Sequence, residues 1–73
     1  MPAVSPEEQF ARNLRRQRRS TGLSQEQLAE RAGLHPTEIS RLERAVREPR
    51  LGTMLRLAEG LGVGVERLVR GIR

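Results

Sequence analysis

At 73 residues the chain has room for a single domain burying about 60% of its unfolded surface, a core small enough that help from a partner subunit is expected. No cysteine is present and His35 is the one histidine, so disulfides, thiolate metal sites and the usual zinc constellations are excluded, and neither a metal nor a cofactor is expected. The net charge of +5 comes from fourteen arginines set against nine glutamates, and no apolar run approaches the roughly 18 residues that span a bilayer, which together predict a soluble, cytoplasmic protein drawn to polyanions, with charge alone leaving RNA and a membrane surface open beside DNA.

Residues 1–5 are expected to form a short tail, frayed before Ser5. In Ser5-Pro6-Glu7-Glu8 a serine stands at the N-cap, proline at the first helical position and glutamate at the third, the spacing of a capping box. The first helix therefore starts at Pro6, carries Phe10 and Leu14 on one stripe, and runs through Arg19 until Ser20-Thr21-Gly22 stops it. Ser24 and Gln27 repeat the capping-box spacing, and Leu28, Ala29 and Ala32 give a short second helix over 25–32 that ends at Gly33. A three-residue turn, Gly33-Leu34-His35, leads to Pro36, which excludes His35 from the helical region and itself suits the first position of a third helix reaching about Arg44.

After Pro49, the spacing of Leu51, Met54, Leu55, Ala58 and Leu61 predicts a fourth helix closed by Gly62. A last helix from Val65 to about Arg70 places Val65, Leu68, Val69 and Ile72 on one side. That is more apolar surface than one small core needs, and it makes these four residues the expected dimer seam. No strand alternation, repeat or low-complexity segment interrupts the pattern, so residues 6–73 read as one all-α domain, a compact five-helix bundle.

On the third helix Ile39, Leu42 and Val46 share the expected buried side, while Thr37, Ser40, Arg41 and Arg44 fall opposite. Short hydroxyls beside two arginines offer donors and acceptors without the bulk that would hold a helix out of a major groove. An ordinary solvated face has the same composition. The capped short helix and glycine-containing turn that precede this helix favour the DNA-reading alternative. The all-arginine basic set suits phosphate and guanine, although a GC-rich genome produces the same bias.

The run Gly22-Leu23-Ser24-Gln25-Glu26-Gln27-Leu28-Ala29-Glu30-Arg31-Ala32-Gly33-Leu34, followed by Ile39-Ser40-Arg41-Leu42-Glu43-Arg44, resembles the lambda Cro/repressor-type (Xre) helix-turn-helix family. The likeness continues through Pro49 and Leu57-Ala58-Glu59-Gly60-Leu61-Gly62-Val63, covering about Phe10 to Leu68. It implies a lambda repressor-like five-helix DNA binder, a dimeric transcription regulator of a bacterium or phage acting at the nucleoid on a palindromic operator in double-stranded DNA.

By that resemblance Gln25 touches a phosphate and braces the third helix, and Thr37, Ser40 and Arg41 face base edges, with Arg41 preferring guanine. Pro36 stands where the family often has a polar residue, and its ring suits a thymine methyl. Glu38 is a secondary candidate, since a glutamate in a first turn more often serves the helix dipole. Phosphate contacts are assigned to the amides around Ser24 and Gln25 and to Arg44, Arg47 and Arg50, whereas Arg12, Arg15, Arg16 and Arg19 read first as a solvated basic face, an approach of one of them to DNA being the less favoured alternative. Arg18 follows Phe10 and Leu14 along the apolar stripe, and Glu43 lies one turn after Ile39 on the buried side, so a structural Arg18–Glu43 ion pair is expected, as the family also has.

Ala45 replaces the glycine usual after the recognition helix, and Gly52, Gly60 and Gly64 stand where better helix formers or caps are common, which predicts a weak fourth helix and a loosely docked fifth. Catalysis lacks its parts, with no aspartate, one histidine and no phosphate loop. The rival to a stand-alone regulator is an antitoxin-like module that holds a protein partner and binds DNA only for autoregulation.

Overall fold

The computed structural model describes residues 4–73, and Met1 to Ala3, with the fraying expected of them, lie outside the described residues. Five helices follow in order: α1 (Pro6–Ser20), α2 (Gln25–Ala32), α3 (Pro36–Glu43), α4 (Leu51–Leu61) and α5 (Glu66–Val69). The described residues contain no strand.

Local chemistry sets the boundaries. The Glu8 amide donates to Ser5 Oγ at 3.1 Å while the Ser5 amide donates to Glu8 Oε1 at 3.2 Å, completing the first capping box. At α2 the Gln27 amide donates to Ser24 Oγ and the Ser24 amide to Gln27 Oε1, at 3.1 and 2.8 Å. Helices α2 and α4 end by one device. Gly33 and Gly62 adopt left-handed φ values of 69° and 71°, and the next amides, of Leu34 and Val63, donate back to the Ala29 and Ala58 carbonyls. That reversal turns Leu34 and Val63 inward, where both pack on the core.

Phe10 and Leu14 from α1, Leu28 from α2, Ile39 and Leu42 from α3, Leu57 from α4 and Leu68 from α5 fill the centre, all fully buried. Fully burying each such side chain contributes about 1.5–3 kcal/mol, which makes this set the main source of cohesion. Gly60 belongs to the packing. A Cβ at that position would lie 3.2 Å from the Ala32 amide nitrogen, so glycine lets α4 cross close to α2 rather than merely weakening the helix.

The apolar surface is distributed differently from the sequence expectation. Val46, assigned to the buried side of α3, is exposed, because α3 ends at Glu43 and Ala45 turns the chain out of the helical line. In α4 the inward ridge is Leu57, Ala58 and Leu61 with Met54 half-buried, while Leu51 and Leu55 are 67% and 52% exposed. In the expected seam Leu68 is completely buried inside its own protomer, Val65 and Ile72 pack against the same core, and Val69 is half-buried. The seam residues serve chiefly to dock α5, a four-residue helix too short to persist alone.

A buried polar tie adds to that docking. Asn13, on the inner face of α1, donates through Nδ2 to the Leu68 and Arg70 carbonyls, at 2.9 Å each, and accepts from Gln9 Nε2 at 3.0 Å. Its side-chain oxygen and nitrogen are both partnered, as a buried amide requires. The weak docking expected from Gly64 is thus offset by Leu68 and Asn13.

Candidate nucleic-acid interface

Helix α3 is held at both ends. At its start Pro36 removes one amide from those needing a partner, and His35, the N-cap, accepts the Thr37 amide through Nδ1 at 3.1 Å. The accepting lone pair on Nδ1 leaves the proton of the neutral ring on Nε2. At its end the buried Glu43 carboxylate receives Arg18, with Nε 2.6 Å from Oε2 and Nη2 2.9 Å from Oε1, a two-pronged charge-assisted contact. Gln25 Nε2 adds a third donor to Oε1 at 3.1 Å, and Arg15 donates to the Glu43 backbone carbonyl. Arg18 also donates to the Leu23 carbonyl at 2.9 Å, linking the same cluster to the turn before α2.

The expected Arg18–Glu43 pair is therefore present, and its surroundings are richer than expected. The hydrogen bonds that Arg18 donates to Glu43, reinforced by the carboxylate's charge, raise its guanidinium above the ordinary range despite partial desolvation. Gln25 braces α3 as expected, through Glu43. Arg15 departs from the solvated face assigned to it, being half-buried and tied to Glu43, whereas Arg12, Arg16 and Arg19 are exposed.

With its inner side fixed by Ile39, Leu42 and Glu43, α3 turns Thr37 and Arg41 to solvent and leaves Pro36, Glu38 and Ser40 half-buried on the flanks. His35, Thr37, Glu38, Arg41 and Arg47 line one shallow surface depression, which brings Arg47 beside the α3 surface. Arg47 and Arg50 also border a neighbouring depression with Glu38 and Glu48, so these arginines lie beside acids rather than in an unbroken basic stripe. Arg44 caps the helix, its Nε donating to the Ser40 carbonyl at 3.3 Å.

Ser24 needs correction as an amide donor to an outside anion, because both its amide and its hydroxyl are engaged in the α2 capping box. The Gln25 and Glu26 amides, at the positive end of the α2 dipole, are the ones left for such a ligand. Two further features escaped sequence reasoning. His35 immediately before a first-position proline was an N-cap signal, and Asn13 between Phe10 and Leu14 on an apolar stripe was the sign of a buried amide with distant partners.

The helix-turn-helix family HTH_3 matches residues 14–68. Control protein C.SmaI of Serratia marcescens is 45% identical over 60 residues, spanning 82% of this chain and 71% of its own. An uncharacterized HTH-type transcriptional regulator, y4dJ, of Sinorhizobium fredii is 42% identical over 57 residues, 78% of this chain and 74% of its own. Among solved structures, the restriction-modification controller protein C.AhdI of Aeromonas hydrophila superposes with a TM-score of 0.83 at 35% identity, covering 85% of this chain and 94% of that one.

Proposed function

The chain belongs to the helix-turn-helix family HTH_3, and on that basis we propose that it regulates transcription by binding a palindromic operator as a dimer, with α3 in the major groove. The observation that carries this reading is the solvent-facing Thr37 and Arg41, flanked by Pro36 and Ser40, on a helix whose rotation is fixed from behind by Glu43. Arg41 reads guanine through its fork, Thr37 and Ser40 supply short hydrogen-bonding groups, and the Pro36 ring packs on a thymine methyl. Gln25, Arg44, Arg47 and Arg50 position the backbone and set affinity more than sequence choice. Similarity to control protein C.SmaI and to the controller C.AhdI supports a role in controlling a restriction-modification operon.

The dimer forms through α4, where Leu51 and Leu55 lie one turn apart and stand exposed. A second copy covers them about a two-fold axis, which presents two α3 helices to successive major grooves.

Selection from a random duplex pool at stated salt tests the reading. The expected product is an inverted repeat with half-sites about 34 Å apart, or a multiple of that spacing. Enrichment of nothing over bulk DNA would overturn it.

A further inference from the structure

An open cleft of about 420 Å³ runs between α1 and the C-terminal end of α3, bordered by Glu8, Arg12, Arg15, Glu43 and Arg44. Three arginines line it, Arg12 and Arg15 from α1 and Arg44 from the C-cap of α3. Arg15 is anchored by its bond to the Glu43 carbonyl and Arg44 by its bond to the Ser40 carbonyl, so two of the three are oriented before any ligand arrives. The Glu43 carboxylate adds no uncompensated charge, since Arg18 and Gln25 already occupy it. Glu8 is the one opposing charge. The Ser5 amide and hydroxyl hold its carboxyl below the usual range, and Arg12 adds to that, so Glu8 stays ionised beside Arg12. Ala11 and Ala45 form the remaining wall, with side chains too small to block an approaching strand. Arg44 lies three residues beyond Arg41 and is its neighbour along the helix surface, so the cleft opens where the reading face ends.

We propose that this cleft holds a phosphodiester of the operator backbone, gripped by Arg12, Arg15 and Arg44, so that α1 takes part in the DNA footprint. The inference rests on the DNA-binding reading and extends it to a helix outside the helix-turn-helix pair. Glu8 acts in the same cleft as a built-in moderator, repelling the phosphate that the arginines attract.

The test uses two exposed side chains whose replacement leaves the core untouched. Arg12→Ala removes one grip, and Glu8→Gln removes the opposing charge while keeping a side chain able to complete the capping box. Binding of the wild-type chain and both variants to the selected operator and to bulk duplex is measured from 50 to 200 mM salt, with phosphate-ethylation interference on the operator. For Arg12→Ala the log–log salt slope should fall by about 0.9, weakening operator and bulk DNA alike, and interference should vanish at one phosphate per half-site. Glu8→Gln should tighten both. An unchanged slope for Arg12→Ala, or no tightening with Glu8→Gln, would overturn the cleft while leaving α3 readout standing. If the wild-type chain prefers no sequence, the readout falls instead, and the cleft is still judged by the salt slope on bulk duplex.

Discussion

Arg18 of α1 and Glu43 of α3 meet through two hydrogen bonds, 2.6 and 2.9 Å long, in a position where Glu43 is 4% exposed. Removing one member strands the other. Glu43→Ala should destabilise the fold by about 3 kcal/mol, read as a lower urea midpoint with little change in slope. Replacing the pair together, Arg18→Met with Glu43→Leu, should recover part of that loss, because no unpaired charge remains. A Glu43→Ala variant as stable as the parent would show that the pair contributes nothing.

Ala45 holds a left-handed φ of 60°, a conformation costing a residue with a Cβ about 1 kcal/mol or more. Ala45→Gly should therefore raise stability by about 1 kcal/mol, or 4–8 °C in melting temperature for a domain of this size. Calorimetry decides it.

Two glycines of α4 should respond to alanine in opposite ways. Gly52 faces open space, so Gly52→Ala should gain up to about 1 kcal/mol from helix propensity. At Gly60 the new methyl would press on the Ala32 backbone of α2, which cannot retreat without shifting a helix, so Gly60→Ala should lower the denaturation midpoint despite the better propensity.

Leu51 and Leu55 protrude from α4 without contributing to the buried core. Leu55→Glu should leave the helical circular dichroism spectrum intact while sedimentation equilibrium shifts to monomer. Operator affinity should fall with it, and single half-site binding should persist. A variant that stays dimeric would place the two-fold contact elsewhere.

Arg41→Ala should relax selectivity at one base pair of each half-site by about 1–3 kcal/mol, with bulk DNA affected far less. Competition between operator variants measures this directly. Uniform weakening on every sequence would make Arg41 a backbone contact.

The sequence made the helices legible because their ends are written in local chemistry: Ser5 with Glu8, Ser24 with Gln27, Gly33 and Gly62. The Arg18–Glu43 pair was legible for a different reason, since two charges on inward stripes must find each other. Periodicity served less well for Leu51, Leu55 and Val46. An apolar residue at helical spacing records which side of a helix is sticky, and where two sides are, only the neighbours decide which turns inward. Leu68 shows the converse, an apparent surplus consumed by docking a helix that has almost no internal bonding. Asn13 and Arg15 were hidden because their partners are backbone carbonyls, which any sequence supplies and none advertises.

Glu43 is touched from α1 and α2 before any ligand is present. On the proposed function, a helix locked in that way should dock on DNA as a rigid body, with little left to freeze at the moment of contact. The heat-capacity change on association should then scale with the apolar area that protein and DNA cover, without the excess that marks segments folding as they bind. Encounter rates should likewise be governed by charge and salt rather than by waiting for a competent conformation.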